Sequence, residues 1–274
     1  MKLGYVCTNY NNSAFTRTAV ETLLKIAGHE FHIVVVDNAS DSQNVGLLRD
    51  IQRDFPDVDV IYSQENMGYF KGLNAGIARV RELSPGLGWM AIGNNDLEFP
   101  AEFADRLERN AERLGKHLVI SPDVLTLNGE HQNPHVISTI SPVRELFYDL
   151  YYSNYYLGMA ILKAASMLPS LSDRHDEREW QTARPIYQGH GSCYILTPAF
   201  FERFSELWAP TFMMSEEYFL SKQLSDVGEQ VYYDPCVQVV HHWHASLAKL
   251  PGRRRWEMAR DAHREYRKYV KVLR

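Results

Sequence analysis

Short apolar runs alternate with stretches of helical spacing along the first hundred residues. Residues 2–7, 31–36 and 58–62 are apolar or β-branched runs that predict strands. Between the strands, the apolar spacing in residues 13–27 and 44–53 predicts helices. Continuous β-branched runs are typical of strands buried on both faces. The pattern therefore predicts an α/β fold with a mostly parallel central sheet, flanked by helices and joined by right-handed crossovers.

The second half of the chain is less regular. Residues 101–114 have helical spacing, and residues 118–121 and 237–240 predict further strands. The stretch 127–184 is irregular and has five tyrosines between Tyr148 and Tyr156. A helix that packs its tyrosines on the core is one interpretation, and a sugar-stacking or dimer surface is the other. We expect one domain over residues 1–246 and a helical C-terminal extension over 247–274.

Length and composition are those of a globular protein. With 274 residues, 45% of them hydrophobic, the chain can bury the core of one large domain. No apolar run approaches the roughly 18 residues of a membrane span, and the N-terminus has no signal-peptide pattern. Cys7, Cys193 and Cys236 are far apart and form no CxxC pair. We therefore expect no disulfide framework and a cytoplasmic location.

The net charge of −5 conceals a basic C-terminal segment. Residues 249–274 contain ten Lys or Arg and three Asp or Glu, a net of +7, which leaves −12 for the rest. Such a segment suggests an anionic partner, either nucleic acid or the inner face of a membrane. Amphipathic spacing favours an ordinary packing helix instead, with an apolar face formed by Trp256, Ala259, His263, Tyr266 and Val270.

An apolar run ends at residues 94–96 in two amides and a carboxylate. In open α/β sheets, ligands bind outside the carboxyl ends of the strands, where Asn94, Asn95 and Asp96 would lie. Mg²⁺ and Mn²⁺ take oxygen ligands, often one or two carboxylates completed by substrate phosphates. Asp96 is thus a candidate metal ligand with Asn94 as a neutral neighbour. The alternative is a polar turn that closes the strand.

Two other polar segments follow predicted strands. Asp37, at the end of the second strand, can accept hydrogen bonds from a base or ribose. The loop after the third strand has Gly68 and Gly72, which allow close approach of the backbone, and Lys71, which suits a phosphate. Glycines used only for packing at a helix start are the alternative. The sequence has neither GxGxxG after the first strand nor a P-loop, which argues against a Rossmann dehydrogenase or a P-loop enzyme.

Three of these segments together resemble a known family. VVVDNASDS from residue 34, ENMGYFKGLNAGI from residue 65 and GNNDLEF from residue 93 are similar to inverting glycosyltransferases of family 2, in particular its rhamnosyltransferase-like branch. The resemblance extends over about residues 3–246. It implies a GT-A fold, a UDP-, dTDP- or GDP-linked sugar donor, and a divalent cation, Mn²⁺ or Mg²⁺. It also implies transfer to a saccharide, lipid-linked or other hydroxyl acceptor in surface polysaccharide or glycoconjugate synthesis.

The resemblance also assigns residues. Residues 1–115 would form the half that binds the nucleotide sugar, and 116–246 the acceptor half. Asp96 falls on the second acidic position of the metal-binding DxD motif, and Asn94 replaces the first, so that Asp96 would hold the metal nearly alone. The implied donor-binding residues are Thr8, Asn9, Tyr10, Asp37, Asn38, Asn66, Gly68, Lys71, Asn74, Asn94 and Asn95.

Two motifs of the second half are assigned in the same way. The segment GHGSCYILTP resembles one that lines the donor sugar and the acceptor, and it contributes Gly189, His190 and Gly191. Glu216-Glu217 resembles the ED motif, whose second acid is the general base, so Glu217 takes that role with Glu216 beside it. Acidic residues at a helix start also stabilise the helix dipole, which is the alternative interpretation.

Three histidines in four residues follow the last predicted strand. His242 fits the H-x-x-x-S spacing of the family with Ser246, and His241 is the near alternative; either would bind the metal or a phosphate. Trp243 would flank the donor or acceptor.

Two other classes remain open at this point. A nucleotidyltransferase would normally have a glycine-rich basic loop after the first strand, where this chain has residues 8–11, TNYN. A non-catalytic module that binds sugar or nucleic acid is suggested only by the basic segment. A homodimer and a peripheral position at the inner face of a membrane are further expectations.

Overall fold

The three-dimensional structure is a computed structural model. It describes residues 1–138, 142–167, 176–242 and 252–270. Trp243 and Ser246, named above as functional candidates, lie outside these residues.

The described strands form one nine-stranded mixed sheet in the order β3-β2-β1-β4-β8-β6-β9-β5, with β7 paired to β9. Pairing is parallel within β3-β2-β1-β4 and between β6 and β9, and antiparallel at the other junctions. The strands are β1 (Lys2–Asn9), β2 (Glu30–Asp37), β3 (Val58–Tyr62), β4 (Met90–Asn94), β5 (Leu97–Glu98), β6 (Val119–Thr126), β7 (Arg184–Ile186), β8 (Cys193–Leu196) and β9 (Val231–His241).

Helices cover both faces of the sheet, and the predicted α/β fold is confirmed. One buried cluster lies beneath α1, α2 and α4, and a second beneath α3, α8 and α9. The helices are α1 (Ser13–Leu24), α2 (Ser42–Asp54), α3 (Tyr69–Leu83), α4 (Phe103–Arg109), α5 (Ala111–Leu114), α6 (Pro142–Ser153), α7 (Tyr155–Ser166), α8 (Pro198–Arg203), α9 (Glu216–Ser225) and α10 (Gly252–Tyr266), with a 3₁₀ turn at Asp176–Glu179.

The register of the parallel strands brings polar residues together. Asn9 of β1 is paired with Asp37 of β2, and Thr8 is paired with Asn94 of β4. Because these neighbouring strands run in the same direction, their carboxyl ends meet at one edge of the sheet. The hydrophobic pattern that buries the strands thus also determines where the polar segments after them gather.

Two elements differ from the sequence-based prediction. Helix α3 begins at Tyr69, directly after Gly68, so Lys71 and Asn74 lie on its first turns instead of in a loop. The helix expected over residues 101–114 is divided into α4 and α5 at Asn110. In both cases apolar spacing located the element and left its boundaries open.

The C-terminal helix packs on the tyrosine-rich region. Trp256 and Tyr266 of α10 are buried. The Trp256 ring lies 5.5 Å from that of Tyr155 and 6.1 Å from that of Tyr152. The packing-helix interpretation thus accounts for one face of α10 and for part of the tyrosine cluster. None of the helices in the described ranges is long and apolar enough to cross a membrane.

Candidate functional site

A cavity of about 330 Å³ lies at the carboxyl ends of β1 and β4 and will be called the sheet-edge cavity. Loops after β1, β2, β3 and β4 contribute one side, and the segments before β8 and α9 contribute the other. Its lining residues are Thr8, Tyr10, Asn12, Asn38, Asn66, Gly68, Tyr69, Asn94, Asn95, Asp96, His190, Gly191, Ser192, Met213, Met214, Ser215, Glu216, Glu217 and His241. Most of the residues singled out from the sequence are therefore brought together.

Asn9 and Asp37 lie behind the cavity wall and do not line the cavity. Both are almost completely buried. The Asn9 Nδ2 donates to Asp37 Oδ1 over 2.9 Å, and the backbone N–H of Ser40 donates to Asp37 Oδ2 over 3.1 Å. Both carboxylate oxygens of Asp37 are thus used within the protein. The bonds they accept join the ends of β1 and β2. Thr8 and Tyr10, on either side of Asn9, line the cavity.

Asn38 presents an unused acceptor at the end of β2. Its Nδ2 donates to the carbonyl of Gly68 over 3.0 Å. Its Oδ1 is buried and has no hydrogen-bond partner among the residues the structure describes. A buried acceptor without a partner is costly, so a ligand N–H or O–H would be stabilised there. Asn38 is thus the better candidate than Asp37 for reading a nucleoside.

Asn95 holds the first loop in place from the end of β4. Its Nδ2 donates to Thr16 Oγ1 over 2.7 Å and to Asn12 Oδ1 over 2.8 Å. The neighbouring Asn94 is anchored through its backbone, whose carbonyl accepts from the Tyr5 hydroxyl over 2.7 Å. These contacts tie the two residues before Asp96 to β1, to the loop after it and to α1. Asp96 itself is 4% exposed and lines the cavity.

Asp96 and His241 form a buried pair suited to a cation. The Asp96 Oδ1 lies 3.2 Å from His241 Nε2. The other ring nitrogen, Nδ1, lies 2.8 Å from Gln132 Oε1 and donates to it. Nε2 is then the ring nitrogen that faces the Asp96 carboxylate, an arrangement that a bound cation would stabilise. Within the described ranges no group of three or more His, Cys, Asp or Glu side chains could hold a metal. Two side chains alone leave the coordination shell of a divalent cation incomplete, and substrate phosphates can complete such a shell.

His242 does not line the sheet-edge cavity. Its Nε2 lies 2.9 Å from Glu98 Oε2, and its ring lies 5.8 Å from that of Phe15. His242 follows the last residue of β9, and its backbone N–H donates to the carbonyl of Asp96 over 2.9 Å while its side chain turns to Glu98. The structure places His241, the near alternative, beside Asp96. The histidine that the H-x-x-x-S spacing favoured thus lies outside this cavity, and its role stays a prediction.

His190 and Gly191 form the wall opposite the loops of β1 and β4. Burial, and then the neighbouring His135 and His241, lower the pKa of His190 to about 3, so its ring is neutral. The carbonyl of Gly191 accepts from the Tyr69 hydroxyl over 2.7 Å. A Cβ on Gly191 would lie 2.5 Å from Glu217 Oε1, so only glycine lets this carboxylate lie where it does. Gly189 packs on β6 and does not line the cavity.

The two acidic residues that begin α9 have different surroundings. Met214 and Ser215 precede them with positive φ angles of 79° and 64°, a conformation that costs about 1–3 kcal/mol per residue. The Glu216 Oε1 accepts from the N–H of Met214 over 2.9 Å and so closes this turn. Burial, and then the charge of Glu217, raise the pKa of Glu216 to about 8. Glu217 is less buried, and its carboxylate faces Gly191.

The loop after β3 is attached to the segment before α9. Gly68 has a φ of +88°, and a Cβ there would lie 1.9 Å from the carbonyl oxygen of Phe212. The same carbonyl accepts from the N–H of Tyr69 over 3.1 Å. Gly68 is thus required both by its left-handed backbone and by close contact with another backbone segment.

Lys71 and Asn74 lie outside the cavity, because α3 begins before them. Lys71 is exposed. The Asn74 amide accepts from the N–H of Leu207 and donates to its carbonyl, each over 2.8 Å. Asn74 therefore fastens α3 to the chain after α8. The sequence motif assigned both residues to the donor loop. The motif does not show that a helix begins at Tyr69.

Several lining residues carried no signal in the sequence. Tyr69 was read only as part of a loop, although its hydroxyl joins two walls of the cavity. The other lining residues that the sequence did not single out are Asn12, Ser192, Met213, Met214 and Ser215.

The mixed sheet with the cavity at its edge has the GT-A fold, which three solved structures share. A mannosyltransferase of Pyrobaculum calidifontis with GDP-mannose and Mn²⁺ is 14% identical with a TM-score of 0.56, and the match covers 99% of this chain and 65% of that one. GalNAc-T7 with UDP, GalNAc and Mn²⁺ is 12% identical with a TM-score of 0.55, over 90% and 44% of the two chains. TarS of S. aureus, residues 1–349 with UDP-GlcNAc, is 14% identical with a TM-score of 0.53, over 92% and 62%.

Residues 6–163, more than half of the 274, match glycosyl transferase family 2, and the chain belongs to that family. No curated protein sequence matches it. The chain spans less than two thirds of each of the three solved structures. Membership favours the glycosyltransferase over the nucleotidyltransferase and the non-catalytic module considered above.

Proposed function

We propose that the protein transfers a sugar from a nucleoside diphosphate to an acceptor hydroxyl, with inversion at the anomeric carbon and Glu217 as general base. The observation that carries the proposal is that one cavity is lined by Glu217, by the Asp96–His241 pair and by the free acceptor on Asn38. These groups can serve, respectively, the acceptor hydroxyl, the diphosphate and the nucleoside.

Glu217 is the better base of the two adjacent acids. An acceptor hydroxyl must lose its proton as it attacks the anomeric carbon, and a carboxylate within hydrogen-bond reach can accept it. Glu216 is buried and closes the turn at Met214, and burial, followed by the charge of Glu217, raises its pKa, so that it holds its proton more firmly than an ordinary glutamate. Direct attack by the hydroxyl on the face opposite the leaving group inverts the anomeric centre, and no protein nucleophile is required.

Asp96 and His241 would hold a divalent cation, Mn²⁺ or Mg²⁺, against the diphosphate. Such a cation neutralises the negative charge that develops on the leaving nucleoside diphosphate. The Gln132 amide fixes the orientation of the His241 ring, and Asn94 Nδ2, 3.2 Å from His241 Nε2, adds a second contact to the same nitrogen. Two solved structures of this fold contain Mn²⁺, which supports the proposal.

The decisive experiment compares Glu217→Gln with Glu216→Gln. The first substitution keeps the size of the side chain but removes the basic carboxylate, so transfer should fall by about 10²–10⁴-fold. Glu216→Gln should lose far less, because an amide oxygen can still accept from Met214. Sugar transfer and nucleoside diphosphate affinity would both be measured. Near-full transfer by Glu217→Gln would refute the assignment, and an inactive Glu216→Gln alone would move the base by one residue.

The donor proposed is a deoxyhexosyl nucleotide, from the resemblance of the sequence motifs to the rhamnosyltransferase-like branch, in surface polysaccharide synthesis. Asn38 and Asn66 at the nucleoside end of the cavity would select the base. A thermal-shift comparison of UDP, dTDP and GDP with Mn²⁺ identifies that base. NMR of the product then gives the anomeric configuration, and retention would contradict inversion.

We also propose that α6, α7 and α10 rest on an anionic membrane at the cytoplasmic face. Four large apolar residues of α6 at helical spacing, Val143, Leu146, Phe147 and Leu150, are each at least 44% exposed. Arg253, at the start of α10, lies 5.6 Å over the ring of Tyr155, where α7 begins. Arg253 also pairs with Glu257 over 3.1 Å, whereas the exposed Arg254 and Arg255 lie at a helix N-terminus, where cations oppose the helix dipole. Apolar and cationic surface side by side is what an interfacial helix needs.

Co-sedimentation with vesicles tests this surface. Binding to vesicles containing phosphatidylglycerol should exceed binding to phosphatidylcholine alone. Arg254→Gln should weaken it by about fivefold, since a cation near an anionic surface contributes about 1 kcal/mol. Phe147→Ser should weaken it as well, whereas Arg109→Gln on α4 should not. Equal binding to both vesicle types would reject the membrane and leave the predicted homodimer as the partner for this surface.

A further inference from the structure

A second cavity, of about 290 Å³, lies between helices α6, α9 and α10 and will be called the helical cavity. It is lined by Glu145, Tyr148, Tyr152, Gln188, Met214, Ser215, Glu217, Tyr218, Ala259, His263 and Tyr266. Three of these residues, Met214, Ser215 and Glu217, also line the sheet-edge cavity. The proposed base therefore stands at the boundary between the two cavities.

We propose that the helical cavity binds the acceptor as a neutral saccharide and presents one of its hydroxyls to Glu217. The proposal rests on the proposed function, because it assigns the second substrate of the same reaction. The three observations that carry it are the aromatic walls, an incompletely bonded buried carboxyl group, and the position of Glu217.

The walls of the helical cavity are aromatic and carry polar edges. The rings of Tyr148 and Tyr152 lie 6.3 Å apart and 27° from parallel, and the ring of His263 lies 4.8 Å from Tyr152. Across the cavity, Tyr218 and Tyr266 meet edge to face at 4.2 Å. A sugar ring has apolar C–H faces and a rim of hydroxyls, and tyrosine offers the matching combination of a flat apolar ring and a polar tip.

Glu145 supplies an acceptor that the protein itself does not use. It is 2% exposed on α6. Its Oε1 accepts from the Tyr266 hydroxyl, whereas its Oε2 has no hydrogen-bond partner among the described residues. The nearby Arg267 is engaged elsewhere, because its Nε and a terminal nitrogen donate to Asp149 over 2.8 and 3.0 Å. A buried carboxyl oxygen without a donor is costly, and a hydroxyl of a bound sugar would remove that cost.

The two carboxyl groups decide the class of ligand. Glu145 and Glu217 both line the helical cavity, so the acceptor oxygens of a phosphate or an acidic sugar would meet carboxyl oxygens instead of donors. A hydrocarbon chain would leave Glu145 Oε2 without a donor. A neutral polyhydroxyl ring meets both conditions. It also places a hydroxyl next to Glu217, at the entrance to the sheet-edge cavity.

Saturation-transfer NMR with a panel of methyl glycosides of neutral hexoses and deoxyhexoses tests the proposal. The full chain is used, with and without UDP and Mn²⁺. Ring protons of at least one glycoside should receive saturation. Tyr148→Ala, at a half-exposed position, and Glu145→Gln should each weaken that binding by about tenfold or more. Tyr156→Ala is the matched control, because Tyr156 is 72% exposed on α7 and does not line the helical cavity.

A transfer assay separates this proposal from the proposed function. Donor breakdown by water and transfer to the glycoside are measured together, and the ratio of transfer to hydrolysis should fall in Tyr148→Ala and Glu145→Gln but not in Tyr156→Ala. Absence of saturation for every glycoside, or binding unchanged in both cavity variants, overturns the saccharide site. Donor that is neither bound nor broken down by the wild-type protein overturns the proposed function instead, whatever the glycoside result.

Discussion

Substitution of Gly191 by alanine should displace the proposed base while leaving the fold intact. The new Cβ would lie 2.5 Å from Glu217 Oε1 and 3.1 Å from its Cδ, whereas ordinary contacts begin at 3.4 Å. The carboxylate would have to move by about 0.9 Å to restore contact distance. Since the clashing atoms are the end of a flexible side chain, the movement is inexpensive in stability. A misplacement of about 1 Å can cost about 10²-fold in rate, and we expect a loss of that order.

The assay for Gly191→Ala measures sugar transfer, UDP affinity and the melting temperature. The Tyr69 hydroxyl can still donate to the carbonyl of residue 191, so UDP affinity and melting temperature should change little. Gly46→Ala is the matched control, because a Cβ at Gly46 meets nothing within 4 Å. Full transfer by Gly191→Ala would refute the placement of Glu217. A large fall in melting temperature would show that the backbone, not the carboxylate, had moved.

Two further predictions concern the charged groups of the sheet-edge cavity. Asp96→Asn should abolish the Mn²⁺-dependent part of UDP binding measured by calorimetry, and an unchanged metal dependence would contradict the assignment of the Asp96–His241 pair. For Glu216, the pKa is raised from about 4.3 to about 8 by burial and by Glu217, so the folded state holds a proton that the unfolded state releases between these values. Stability should therefore fall as pH rises through this range, and the advantage of Glu216→Gln in urea unfolding should grow from pH 5 to pH 8; a constant advantage would contradict it.

The sequence could predict the features that neighbouring residues determine, but not those that depend on contacts between residues far apart in the chain. The strands and the polar residues after them are local patterns, so Thr8, Asn38 and Asp96 were placed correctly at one edge of the sheet. The start of α3 follows the contact of Gly68 with Phe212, a residue far away in sequence, so the sequence could not show that Lys71 and Asn74 lie on a helix outside the cavity. The choice between His241 and His242 depends on which of the two side chains lies against the loop after β4, which no spacing along the chain encodes.

The helical cavity was beyond prediction for the same reason. Its walls come from α6, α9 and α10, three helices with long stretches of chain between them. The tyrosines were visible in the sequence as a cluster, yet Tyr148 faces the cavity whereas Tyr156 faces solvent. Glu145 gave no signal, because a single acid in a helix is ordinary until its burial is known.

The contact between Gly68 and the carbonyl of Phe212 has a consequence for engineering. If the loop after β3 binds the donor, exchanging it for the loop of a relative is the direct way to alter donor preference. Here the loop and the turn that carries Glu216 and Glu217 share one backbone carbonyl, which also accepts from Tyr69. A chimera that imports the loop alone would shift the turn and disturb the base. Segments 66–69 and 211–217 should therefore be exchanged as one cassette, although more than a hundred residues separate them.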